Sequence, residues 1–127
     1  MSTEESKAFI HRYLNAINGK DKTPQVVDQF VADSDLELKQ HIAAAEAAFP
    51  RYVLEPDDVF AEGDKALIRF TLRGVHTAPF MGIPATGKTL AVPGLIVYRI
   101  SGGKIVEHWM QIDNGLMMQQ LGVAQPA

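Results

Sequence analysis

Two side chains in the second half of the chain are of a type and placement that could move protons. Asp113 closes the run "RISGGKIVEHWMQID" (residues 99–113), just after the apolar and aromatic residues of what reads as a returning hairpin strand. A carboxylate beside Trp109 in a water-poor pocket has its ionised form disfavoured, and such a group can take a proton from a carbon next to a carbonyl and return it. Asp113 also has the position of a helix cap ahead of Asn114, and one residue can serve both purposes. His76 stands where strand gives way to loop, and histidine exchanges protons near neutrality. It could contact a substrate or pin the loop by a hydrogen bond.

The other titratable groups suggest less chemistry. His108 alternates onto the opposite strand face from Asp113, so the two do not form a dyad. His11 and His41 fall in helical stretches far apart in sequence, and no spacing of His, Asp and Glu suggests a metal site; the chain has no cysteine for a thiolate one. Asp58 and Arg69 come opposite each other if Gly63-Asp64 is a turn, which predicts a cross-strand ion pair. "GIPATGK" (82–88) lacks the spacing of a phosphate-binding loop and leads into no helix.

These residues need a scaffold. Gly102-Gly103 suits a two-residue turn, which pairs Ser101 with Lys104, Ile100 with Ile105, Tyr98 with Glu107, Ile96 with Trp109 and Gly94 with Gln111. Because side chains alternate, one face then carries Ile96, Tyr98, Glu107, Trp109, Gln111 and Asp113. Tyr98, Trp109 and Gln111 are therefore expected to line a substrate pocket with Asp113. Pro93-Gly94 is expected to interrupt the register. An earlier hairpin is joined at Glu62-Gly63-Asp64, and the Gly- and Pro-rich residues 75–88 form a long loop between the hairpins.

The first half is helical. Ser2 and Glu5 have capping-box spacing, followed by the stripe Phe9, Ile10, Tyr13, Leu14 and Ile17. Tyr13 on that stripe could aim its hydroxyl into a cavity. Asn18-Gly19 stops the helix, Thr23-Pro24 starts a second, and Ser34 with Glu37 repeats the capping-box spacing before a third that Pro50 ends. "NGLMMQQLG" (114–122) reads as a short closing helix. Helices followed by a run of antiparallel strands is an α+β order, with the helices laid across one face of a curved sheet.

Bulk composition fits this scheme. The 127 residues suit one domain spanning 1–127, 46% hydrophobic and 21% charged. A net charge of −3 without a basic cluster argues against a nucleic-acid partner. No apolar run approaches the roughly 20 residues that span a bilayer, and the polar start "MSTEESKAF" is unlike a secretory signal. A cytoplasmic protein without membrane contact is expected.

The motifs "AEGD" (61–64), "R-x-T-x-x-G-x-H" (69–76), "FMGIPATGK" (80–88), "RISGGKIVEHW-x-x-x-D" (99–113) and "QQLG" (119–122) resemble, in order and spacing, the SnoaL-like polyketide cyclases, also labelled predicted ester cyclases. These belong to the nuclear transport factor 2-like folds. The resemblance implies a cone-shaped curved antiparallel sheet packed against three N-terminal helices, often assembled into homodimers or larger homo-oligomers through the sheet. It implies intramolecular aldol closure on a small apolar carbonyl compound, without metal or cofactor, and Asp113 matches the family's acid–base aspartate. The alternative is a non-catalytic ligand-binding or assembly module on the same cone.

Overall fold

The computed structural model describes residues 2–122. Three helices come first: α1 (Thr3–Ile17), α2 (Pro24–Phe30) and α3 (Leu36–Ala48). Four strands follow, β1 (Val53–Glu62), β2 (Lys65–Val75), β3 (Thr89–Ser101) and β4 (Lys104–Ile112), and then the short α4 (Asn114–Gln120). The strands form one antiparallel meander in the order β1-β2-β3-β4. The expected α+β architecture is thus present, with a curved open sheet whose inner face meets the helices.

Each helix starts for a local reason. Ser2 and Glu5 make the reciprocal capping box of α1, and the Thr23 side chain accepts from Val26 N ahead of Pro24. The cap of α3 is Asp35, not Ser34: its Oδ1 accepts from Leu38 N at 3.2 Å. Ser34 instead donates to the Val106 carbonyl, 3.1 Å away on β4. At the end of α1, Asn18 keeps an ordinary extended backbone, and Gly19 alone takes the left-handed conformation (φ +69°). The Asn18 amide instead clasps the backbone of Leu54, giving to its carbonyl at 2.8 Å and accepting from its N–H at 3.0 Å.

The core lies between α1 and the inner faces of β2 and β3. Phe9, Ile10, Tyr13, Leu14 and Ile17 meet Ile68, Phe70, Val92, Ile96 and Tyr98 there, all almost fully out of water. Gly94 permits a close approach: a Cβ at that position would stand 2.5 Å from the Phe70 ring and 3.0 Å from the Gln111 carbonyl. The β3–β4 ladder ends at Gly94, paired with Ile112, as expected of Pro93-Gly94, whereas the ladder to β2 continues through both residues. Lys22 is also buried, its ammonium bonded to the Tyr52 carbonyl at 2.7 Å and to Glu46 at 3.3 Å. Burial pushes its pKa down.

The irregularity that matters sits next to the turn. Ile100 pairs with Ile105, but Arg99 pairs with Glu107, so Val106 is an extra residue. This bulge shifts the rest of the hairpin by one position. Tyr98 then faces His108, Val97 faces Trp109, Ile96 faces Met110 and Leu95 faces Gln111. The pairings expected from a plain two-residue turn fail beyond Ile100, and the faces they implied fail with them.

Candidate active site

A cavity of about 490 Å³ opens between α1, α3, the inner sheet face and the 76–88 loop. Its wall is mostly aromatic and aliphatic: Phe49 and Ile42 from α3 and its end, Phe70 from β2, Ile96 from β3, Met110 from β4 and Phe80 from the loop. The polar residues in its lining are Tyr13, Tyr52, Tyr98, His41 and Asn114.

The two tyrosines of interest meet edge to face, ring centroids 5.7 Å apart. Burial pushes the Tyr13 phenol well above its ordinary range, and the nearby Tyr98 and Asp35 raise it further. Tyr98 is likewise raised, by burial first and then by Tyr52 and Asp35. Both therefore stay protonated donors. The Tyr98 hydroxyl is enclosed and has no hydrogen-bond partner of good geometry, although the Tyr13 hydroxyl lies near enough to affect its ionisation. An enclosed phenol without a partner costs stability, and it is a donor left for something else.

Next to them the bulge has a chemical consequence. It turns His108 onto the inner face, opposite Tyr98. The 31–34 segment docks on the free edge of β4 at the same place: Ala32 N donates to the Ile105 carbonyl at 2.8 Å, and Ser34 reaches Val106. Docking delivers Asp35 to His108. The His108 Nδ1–Asp35 Oδ2 distance is 2.7 Å, with the side chains only 3% and 6% exposed. With Nδ1 donating to the carboxylate, Nε2 is the nitrogen left to act. His41 stands in the cavity wall with its ring edge-on to that of His108, centroids 6.1 Å apart, and Glu37 Oε1 lies 4.0 Å from His108 Nε2. His41 and His108, distant in sequence, therefore converge with Glu37 after all.

The residues picked out from sequence are divided by this geometry. Tyr13 and Tyr98 line the cavity together. Trp109 and Gln111 do not: the bulge leaves them on the outer sheet face, Trp109 47% exposed with the Lys65 ammonium 5.5 Å from its ring centre. Glu107 is outside as well, paired with Arg99 at 2.9 Å. Asp58 and Arg69 do form the cross-strand pair expected of them, at 2.7 Å.

Asp113 is exposed and caps α4, accepting from Leu116 N at 2.9 Å; its neighbour Asn114, not Asp113 itself, contributes to the cavity wall. His76 is fully buried behind Phe49, with ring centroids 5.2 Å apart. Its Nδ1 accepts from Thr86 N at 3.3 Å and lies 3.0 Å from Thr86 Oγ1, so it pins the two ends of the loop; its Nε2 is enclosed and unpartnered.

The SnoaL-like polyketide cyclase family model matches residues 13–121. The chain belongs to that family. Solved structures agree on the fold. TsrD from Streptomyces laurentii is 24% identical, covers 98% of this chain and 99% of its own, and superposes with a TM-score of 0.83. AclR from Streptomyces galilaeus, a proposed hydroxylase, is 27% identical over 95% of this chain and 83% of its own, with a TM-score of 0.81. IdmH from Streptomyces antibioticus, a proposed polyketide cyclase, is 26% identical over 94% of this chain and 99% of its own, with a TM-score of 0.75. No curated protein matches. Among the described residues, no helix is long and apolar enough to cross a membrane.

Proposed function

We propose that this SnoaL-like chain is a cofactor-independent acid–base enzyme of cyclase type, acting on a small, largely apolar carbonyl compound. One observation supports the proposal: Tyr13, Tyr98 and His41 line an otherwise greasy cavity, and the buried Asp35–His108 pair lies just behind that wall, opposite Tyr98 and edge-on to His41. Apolar wall holds the carbon skeleton, and the few polar groups fix its orientation.

The proposed steps use these groups in turn. His108 Nε2 takes a proton from a carbon next to the carbonyl, while Asp35 holds Nδ1–H and offsets the charge of the imidazolium. His41, in the cavity wall, stands edge-on to His108. The freed electron pair moves onto the carbonyl oxygen, where the Tyr98 and Tyr13 hydroxyls donate to the enolate. The enolate carbon attacks a second carbonyl of the same molecule, forming the ring bond, and the new alkoxide recovers the proton from His108. Held ends replace a random encounter, so positioning contributes as much as acid–base chemistry. Asp113, exposed and engaged in a cap, supports the architecture of the cavity mouth in this scheme.

The partner surface proposed for a second copy is the outer sheet face. Phe60, Leu67, Val97 and Trp109 occupy successive register positions in one row across all four strands. Phe60 is 60% exposed, and a row of this kind can meet its own symmetry mate.

Binding is tested by titrating a fluorescent naphthyl ketone into the wild type and into Ala45→Trp, which fills the cavity from α3. Saturable binding lost in the variant, with an unchanged circular dichroism spectrum, is the expected result. Equal binding by both proteins would place the ligand elsewhere and overturn the proposal.

A further inference from the structure

We propose that Glu37, His41 and His108 form a binding site for a late first-row divalent cation, with zinc as the reference ion. Glu37 and His41 are four residues apart in α3 and so share one helix face. His108 comes to them from β4, and one ligand atom from each of the three lies within 4.8 Å of the others. A tetrahedral zinc ion with bonds of about 2.0–2.1 Å needs donors only ~3.4 Å apart. The gap closes by side-chain rotation, because Glu37 is 72% exposed and His41 is exposed too.

His108 is already set. Its Nδ1 is held by Asp35 at 2.7 Å, leaving Nε2 free for a ligand, 4.0 Å from Glu37 Oε1. A carboxylate behind an imidazole is the arrangement that orients zinc-binding histidines and raises their basicity. Two imidazoles with one carboxylate favour zinc, cobalt, nickel or copper over magnesium or calcium, which prefer all-oxygen sets. Because His41 also belongs to the cavity wall, the ion sits at the cavity's edge with a position left for water or ligand. It occupies the Nε2 lone pair that the acid–base proposal uses, so loading inhibits; that consequence rests on the proposed function, whereas ion binding does not.

The test uses the tag-free, metal-stripped full chain, with zinc followed by calorimetry and cobalt by its visible absorption. One ion per chain at low micromolar affinity or tighter is expected, with cobalt bands of a four- or five-coordinate nitrogen–oxygen site. His41→Ala and Glu37→Gln, both on the solvent side, each weaken binding at least tenfold with unchanged circular dichroism. Asp35→Asn, which removes no ligand, weakens it tenfold to hundredfold. Absence of saturable binding, or affinity unmoved by His41→Ala and Glu37→Gln, overturns the site. Ion binding without proton-exchange activity upholds the site and sinks the enzymatic proposal; exchange without ion binding does the reverse.

Discussion

His108 Nδ1 lies 2.7 Å from Asp35 Oδ2 across a separation of 73 residues, with both side chains withdrawn from water. Two independent accidents of backbone make this contact: a bulge at Val106 that turns His108 inward, and a segment at 31–34 that seals the edge of β4 and presents Asp35. Tyr98 stands opposite His108 on the same inner face, and Tyr13 of α1 meets Tyr98 edge to face.

Asp35→Asn keeps a side chain that caps α3 nearly as well but removes the charge behind His108. Turnover of a carbonyl substrate is expected to fall by about 10²- to 10⁴-fold, the usual worth of acid–base assistance. Stability falls by only about 1–3 kcal/mol, as for a buried hydrogen bond lost. Steady-state kinetics and urea unfolding on the same preparation check both numbers.

Asp113 gives the opposite pattern. Asp113→Asn should leave stability and turnover nearly unchanged, and Asp113→Ala should cost about 1 kcal/mol through the lost cap on α4 without touching the chemistry. A thousandfold loss of turnover in Asp113→Asn would return the proton-transfer role to that residue.

Tyr98→Phe separates binding chemistry from stability. Its hydroxyl is enclosed and makes no hydrogen bond of good geometry, though the Tyr13 hydroxyl lies close by, so removing it should leave the fold as stable or about 1 kcal/mol more so. The same change should lower turnover by stripping a donor from the developing enolate. Chemical denaturation and kinetics together decide it; a destabilised Phe variant would mean the hydroxyl has a partner in the folded state.

Alkali should act on all three tyrosines at once. Tyr13, Tyr52 and Tyr98 are the only tyrosines of the chain, and burial raises each above the ordinary value of 10. A pKa raised on folding contributes stability that is complete below the unfolded value and is lost as pH climbs past it. Above about pH 10 each tyrosine therefore removes up to about 1.4 kcal/mol per pH unit. Lys22, whose pKa burial lowers, works weakly the other way. Tyrosinate absorbance should appear in one cooperative step coincident with unfolding by circular dichroism, and not as a gradual titration near 10.

Much of the fold could be read from residue types. The capping box at Ser2–Glu5, the stripe along α1, Thr23-Pro24, and the turns at Gly63-Asp64 and Gly102-Gly103 all act through neighbours in the chain, and all recur in the structure. The site was less legible because it depends on one extra residue in one strand. A plain turn pairs even positions of β3 with odd positions of β4, which sets Glu107 among Ile96, Tyr98 and Ile100. A charge in that company is the visible sign of a shifted register, and Met110 and Ile112 on the other parity agree. Nothing local reveals that Asp35 meets His108, since that contact needs the 31–34 segment laid along β4. His76 was placed correctly at the strand–loop junction, but its full burial depends on Phe49 packing over it.

The outer row can be probed separately. Trp109→Glu should shift a homodimer to monomer in sedimentation velocity without altering the fold, because the side chain lies outside the core at 47% exposure. A wild type that is monomeric throughout would remove the reason for the row.

The most direct test follows proton exchange itself. The chain is incubated in heavy water with an apolar cyclic ketone such as 2-tetralone, and loss of the α-proton signal is followed by NMR for the wild type, His108→Gln, Asp35→Asn and Asp113→Asn. Exchange accelerated by the wild type and Asp113→Asn, and at least a hundredfold slower in the other two, is the result expected when Asp35 and His108 handle the proton. Exchange no faster than in buffer, or unchanged in His108→Gln, would contradict it.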